Sequence, residues 1–305
     1  MTVEILSDAM KRIASADQEP EELGGGFGGP NGPAEGPVWF KEGGFLLFSD
    51  IHGSRRMKYE PGKGISLDKE GTANANGQTR DRQGRLVACH HFSRCVDRLE
   101  ADGSVTVIAD RYRGLKLNRP NDVVVKSDGA IYFTDPPPRP PLTPPEHTPE
   151  LDIAGVYRVS PDLKEINMIV RSFDNPNGLT FSPDESILYI NDSNRHRKLI
   201  RAYDVEGNGM VDRGSERLFC DMRGDDRPGV PDGMKVDVEG NVYCTGPGGI
   251  WVISPAGEHI GTINTRAVNM AWGGDDWTTL YFTGPTTLNR IQLKIPGIPV
   301  PRGDL

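Results

Sequence analysis

The sequence predicts an all-β fold, a six-bladed β-propeller with four-stranded blades and a short N-terminal helix. Three observations predict it. A strand-turn-strand pattern returns six times, at intervals of about 41, 45, 56, 55 and 37 residues, a period typical of propeller blades. Turn formers are abundant, with 37 Gly and 25 Pro among 305 residues. Each return opens on a side chain that carries an oxygen.

Taken in order, the opening MTVEILSDAMKRIASADQEP reads as a short amphipathic helix with Ser7 as its expected cap. It lacks the basic start and apolar core of a signal peptide. The run Gly24-Gly25-Gly26-Phe27-Gly28-Gly29 has neither the Lys-Ser/Thr ending nor the following helix of a phosphate loop, and reads as a flexible linker. Residues 1–31 are therefore expected to hold the helix and a closing segment, and residues 32–305 the propeller.

The six units open at Glu35 (EGPVWFKEGGFLLFSD), Asn76 (NGQTRDRQGRLVAC), Asn121 (NDVVVKSDGAIYFTD), Asn177 (NGLTFSPDESILYIND), Asp232 (DGMKVDVEGNVYCTG) and Asn269 (NMAWGGDDWTTLYFTG). In the third, Val123 and Val125 alternate on one strand, Ser127-Asp128-Gly129 turns the chain, and Ile131 and Phe133 alternate on the next. GVYRVSP and INMIVRS then complete that unit, LIRAYDV and ERLFCDM the fourth, and GGIWVISPAGEHIGTINT the fifth. The sixth has three evident strands before a proline-rich tail, so its fourth is expected from the region before Glu35. A ring closed in this way leaves no long sheet edge exposed.

Composition narrows the partners. Lys and Arg number 35 against 43 Asp and Glu, a net charge of −8, and no basic run is interleaved with aromatics. Nucleic acid is a poor partner on electrostatic grounds, and none is expected. No apolar stretch approaches the roughly 18 residues of a membrane span, so a cytoplasmic protein is expected. Cys89, Cys95, Cys220 and Cys244 are expected to be reduced. The CHHFSRC stretch from Cys89 to Cys95 mixes both ligand types, but its spacing matches no common zinc pattern. No G-x-S-x-G elbow occurs, and the six histidines are expected in turns or between strands, as solvated loop residues rather than catalytic ones. His52, His91 and His196 lie where inner strands give way to loops.

The six opening residues are the chemical signal. The first strand of a blade lines the central channel, so Glu35, Asn76, Asn121, Asn177, Asp232 and Asn269 should converge at its mouth. At any one position Asn-Gly or Asp-Gly is also an ordinary turn signal. Turn chemistry does not account for an oxygen donor at all six, nor for Glu35. Two carboxylates and several amide oxygens around one axis make a hard-cation site, since Ca²⁺ takes about 6–8 oxygen ligands. With no Cys or His in the set, Ca²⁺, Mg²⁺ or Mn²⁺ suits it better than Zn²⁺. Glu35 and Asp232 would balance the charge of one divalent ion.

The motifs Glu35-Gly36-Pro37-Val38-Trp39, Arg119-Pro120-Asn121-Asp122, Pro176-Asn177-Gly178 and Pro231-Asp232-Gly233, in this order, resemble those of the SMP-30/gluconolactonase/luciferin-regenerating-enzyme family. KSDGAIYFTDPP is similar to the bacterial gluconolactonase branch, and the resemblance spans about Gly32 to Lys294. It implies a six-bladed propeller with one catalytic divalent cation, usually calcium or zinc, that hydrolyses a small-molecule lactone. It also implies that Glu35, Asn177 and Asp232 are metal ligands, that Asn121 is a further ligand or a substrate contact, and that Arg119 binds substrate oxygens. It supports Asn76 and Asn269 less well. Asp232 is the candidate base, beside its role as a ligand. Two other readings stay open, a non-catalytic calcium-binding or interaction propeller and a phosphotriesterase-like hydrolase. The segment DPPPRPPLTPPEHTPELDIAG, from Asp135 to Gly155, reads either as a stiff surface linker or as a rigid lid over the site.

Overall fold

The computed structural model describes residues 2–139 and 147–302. Residues 140–146, the middle of the proline-rich segment weighed above as linker or lid, lie outside them. The alternating apolar pattern of each unit produces antiparallel hairpins, and these extend into six sheets. Blade one comprises Ala34–Phe40, Phe45–Asp50, Arg55–Glu60 and Gly64–Glu70. Blade two follows from Ala75–Arg80, blade three from Val123–Val125, blade four from Pro176–Phe181, blade five from Met234–Val236 and blade six from Asn269–Gly273. The inner strand of each blade touches the inner strand of the next, and that of blade six touches that of blade one, so the ring closes. This is the predicted six-bladed propeller.

Two N-terminal strands complete it. Glu21–Gly25 pairs with Thr287–Gln292 and supplies the outer strand of blade six. Val3–Ile5 pairs with His259–Asn264, which gives blade five a fifth strand. Between them the helix Asp8–Ile13 buries Met10 and Ile13 against blades five and six. Ser7 stands at the helix N-cap, but its side chain makes no capping bond. The glycine run is not a linker. Gly24 and Gly25 end the closing strand, the Gly26 and Phe27 amides both donate to the Thr286 carbonyl, and Phe27 is buried edge-on to Phe48. Gly28 answers to both conformation and crowding, with φ of 63° and a Cβ that would stand 2.1 Å from the Pro285 carbonyl oxygen.

Apolar clusters fill the spaces between blades. Trp39 stacks on Tyr281 between blades six and one, and Tyr132 meets Phe181 edge-on between blades three and four. Between blades one and two the apolar cluster is small, built on Val38, Leu47 and Leu86. Polar bonds add to it, with Gln78 donating to the Gly36 carbonyl and to Ser49. The C-terminal segment crosses the far end of the channel. Gly297 and Ile298 bond to blades six and five, Arg80 of blade two donates to the Val300 carbonyl, and Arg302 donates to three carbonyls of blade four.

Candidate active site

The opening residues of the blades are held at the channel mouth by bonds between neighbouring blades. Ser49 of blade one donates to the Asn76 carbonyl of blade two at 2.8 Å, and Thr134 of blade three to the Asn177 carbonyl at 2.8 Å. Asn191 of blade four donates to the Asp232 carbonyl at 2.5 Å. Blade two reaches blade three through the Gly77 amide and the Asn121 carbonyl, 2.9 Å apart. The circle closes where the Asn269 amide donates to Glu35 Oε2 at 2.8 Å.

Four opening residues, Glu35, Asn76, Asn177 and Asp232, are followed by glycine, and in blades four and five that glycine has a purpose that turn chemistry does not describe. Gly178 and Gly233 do not adopt positive φ. A Cβ on Gly178 would stand 2.1 Å from the Asp232 carbonyl oxygen, and one on Gly233 2.1 Å from Asn269 Oδ1. Glycine is needed because the next blade's inner strand passes directly against it.

Five of the six opening residues, Glu35, Asn76, Asn121, Asn177 and Asp232, line one cavity of about 380 Å³ at the mouth. Asn269 does not line it. Its amide nitrogen holds Glu35 and its oxygen accepts from the Met270 amide, so it supports the ring from beneath. Glu35 is 3% exposed and receives a 2.5 Å bond from the Gly36 amide. Burial pushes its carboxyl well above the usual range, and Asp232 and Asp122 add repulsion. Asp232 keeps partial exposure, unlike the other opening residues. Its carboxyl is pushed up to about 7, by burial first and by Asp122 next, while the Asn177 side chain bonds to it. Asp122, buried beside them, also has a raised pKa through burial.

Two buried oxygens at the cavity, Asn76 Oδ1 and Asn121 Oδ1, have no hydrogen-bond partner among the described residues. An unpaired buried amide oxygen costs about 1–3 kcal/mol. Unpaired oxygens beside two carboxylates, with no sulfur or imidazole among the opening residues, fit a hard divalent cation.

Arg119 lines the same cavity and is 3% exposed. Asp135, at the end of the second strand of blade three, fixes its backbone by accepting the Asn118 and Arg119 amides at 2.8 and 2.6 Å. The same device recurs at that strand end in blades one and four. Asp50 accepts the Gly28 and Gly53 amides, and Asp192 those of Asp174, Asn175 and Asn194.

His91 departs from the expected solvated loop residue. It is fully buried and lines the cavity. Asn76 Nδ2 lies 2.8 Å and Arg119 Nη1 3.5 Å from its Nε2. A guanidinium can only donate, which assigns Nε2 as the acceptor of a neutral ring and puts the proton on Nδ1, a nitrogen without a partner among the described residues. Burial and then Arg119 lower its pKa well below the ordinary value, which agrees. His52 and His196 are exposed and stand outside the cavity lining. Sequence reasoning also missed Asn175, Ser193 and Arg139 as lining residues.

Fold and cavity together define a six-bladed propeller whose channel mouth gathers oxygen donors beside a buried arginine. The chain belongs to the SMP-30/gluconolactonase/LRE-like family, whose description matches residues 33–286. It is 31% identical to a gluconolactonase of Zymomonas mobilis subsp. mobilis over 87% of this chain and 79% of that one. It is 28% identical to the pentonolactonase XacC of Haloferax volcanii, covering 82% and 80%. The solved structure of a gluconolactonase from Xanthomonas campestris superposes with a TM-score of 0.85 at 32% identity, covering 95% and 94%.

Proposed function

We propose that the protein is a metal-dependent lactonase that hydrolyses a sugar lactone or related small lactone at the channel mouth. The observation that carries this is the pairing, in one cavity, of a hard-cation donor set with a buried arginine that a simple ion site has no use for. Family membership and the lactonases among its relatives support the reaction class.

Glu35, Asn177 and Asp232 would hold the cation, most favourably Ca²⁺, with Asn121 as a fourth donor or a substrate contact. When bound, such an ion polarises an ester carbonyl and acidifies water. Asp232 is assigned as the base. A carboxylate has two oxygens, so one can face the ion while the other takes a proton from water as the water oxygen bonds to the carbonyl carbon. The ring C–O bond then breaks, and the same proton passes to the departing ring oxygen. One water is consumed and one hydroxy acid forms. Arg119 presents planar donors to substrate oxygens, held in place by Asp135 through its main chain. Neutral His91 holds Asn76 and Arg119 in register without adding a positive charge.

The test is hydrolysis of a panel of sugar and aliphatic lactones by chelated and reconstituted protein, with an activated organophosphate in parallel. Turnover restored by a divalent ion is expected for lactones. Asp232→Ala should abolish it and weaken cation binding while the fold persists. Arg119→Ala should raise KM about tenfold, the order of one charge-assisted hydrogen bond, with a smaller effect on cation affinity. No lactone turnover with any restored ion would favour a binding propeller, and near-full activity of Asp232→Ala would remove the assigned base.

A further inference from the structure

The cavity carries more positive charge than the opening of a neutral lactone requires. Arg119 and Arg139 both line it, and both come from the loops of blade three. Neither forms an ion pair among the described residues. Arg119 is only 3% exposed, and its Nε has no hydrogen-bond partner among the described residues. Arg139 is exposed at the rim of the same cavity. The two guanidinium groups feel each other, since Arg119 is lowered to about 10 by burial first and by Arg139 next.

The two carboxylates of the lining, Glu35 and Asp232, come from blade one and from the entry to blade five. Their charge is matched by the divalent ion that the donor set fits. Arg119 then has buried Asp135 as a charged neighbour, while Arg139 at the rim makes no ion pair among the described residues, which leaves the pair with one unmatched positive charge. A protein of net charge −8 repels anions at long range, so any anion this cavity receives must be won by local contacts. Two guanidinium forks facing one space suit a planar carboxylate or a phosphate, both of which accept paired donors.

We propose that the substrate carries a second anionic group, a terminal carboxylate or phosphate distal to the lactone carbonyl, and that Arg119 and Arg139 bind it together. Arg139 is thereby a specificity-determining residue. This rests on the lactonase reading above, and it narrows the substrate class from sugar lactones in general to acidic ones.

The experiment compares kcat/KM for gluconolactone, glucarolactone and 6-phosphogluconolactone in the reconstituted enzyme. In parallel, calorimetry measures binding of gluconate, glucarate and 6-phosphogluconate to reconstituted and chelated protein. At least one acidic lactone is expected to exceed gluconolactone about tenfold in kcat/KM, the order of one charge-assisted contact. In Arg139→Ala that ratio should collapse toward one, and Arg139→Lys should recover part of it. The carboxylate and phosphate arms decide which anion is meant. Preference for the neutral lactone, or a ratio that Arg139→Ala leaves intact, overturns the proposal while the lactonase reading stands. If no lactone is turned over, the lactonase reading fails, and calorimetry decides separately. A dianion bound no more tightly than gluconate overturns the anion site, and a dianion advantage lost in Arg139→Ala supports it.

Discussion

Glu35 and Asp232 sit where the fold gains nothing from their charge. Both carboxyls are raised above the usual range, chiefly by burial. For Asp232 the native pKa is about 7 against an ordinary value of 3.8. The native state therefore holds its proton over a window in which the unfolded chain has released it. The contribution of this group to stability falls as pH rises from about 4 to about 7, because at this site the unfolded state then binds fewer protons than the native one. A divalent ion competes with those protons, so its stabilising effect grows with pH. Thermal unfolding should show a cation-free Tm that declines across this window, and a Tm gain from added Ca²⁺ that is larger at pH 8 than at pH 5. An equal gain at both values would mean that these carboxylates are not the ligands. At this scale the sequence was informative where repetition gave each position a partner for comparison. Glu35, Asn121, Asn177 and Asp232 stood at equivalent places in successive units and do line one cavity. Arg139 had no such equivalent, lying in a proline-rich stretch without periodicity. His91 was misread because its burial comes from Asn76 on the adjacent strand of its own blade and from Arg119 at the entry to blade three, which no local pattern reports.

Among the elements, the inner strands explain why the openings of blades two, four and five could be mistaken for turns. Asn76-Gly77, Asn177-Gly178 and Asp232-Gly233 look like hairpin turns in sequence, yet they mark the closest approach of one inner strand to the next. In blades one, two and four the same glycine lies within a shift of strand register, between Glu35 and Val38, Ala75 and Gln78, and Pro176 and Leu179. The shift turns the preceding side chain toward the channel. Gly178→Ala should therefore force blades four and five apart, with a cost of about 1–3 kcal/mol or more from overpacking. Equilibrium denaturation measures this, and because the clash falls on the Asp232 carbonyl, cation affinity should fall with it. Unchanged stability would show that the interface yields without strain. The closing strand was legible only in part. The missing fourth strand of blade six pointed to the N-terminal region, but the glycines at the end of Glu21–Gly25 hid it, because glycine disfavours a strand unless crowding demands it.

The whole molecule is a ring clasped by both ends of the described chain. The N-terminal residues complete blade six and add to blade five, while the C-terminal segment spans blades six, five, two and four at the far end of the channel. Removing residues 1–25 should leave blade six with an open edge, and the truncated protein should aggregate or lose its single cooperative transition in calorimetry. A truncated chain that unfolds with the native Tm would show that closure is dispensable. The repeat made the architecture readable from sequence, since each unit carried its own alternation and turn. Of the clasp, N-terminal closure of blade six was expected without its exact residues, whereas the C-terminal crossing was not readable, because it depends on which segments meet after the ring has formed. The proposed site has the same origin, for its oxygen donors come from separate blades, and only closure brings Glu35 of the first blade to Asp232 of the fifth. Anomalous diffraction from crystals soaked in Mn²⁺ tests that claim most directly. The account expects one strong peak in the cavity at the channel mouth, in contact with Glu35, Asn177 and Asp232 and absent from Asp232→Ala crystals. A cavity without a peak, or a peak that persists when Asp232 is removed, would contradict it.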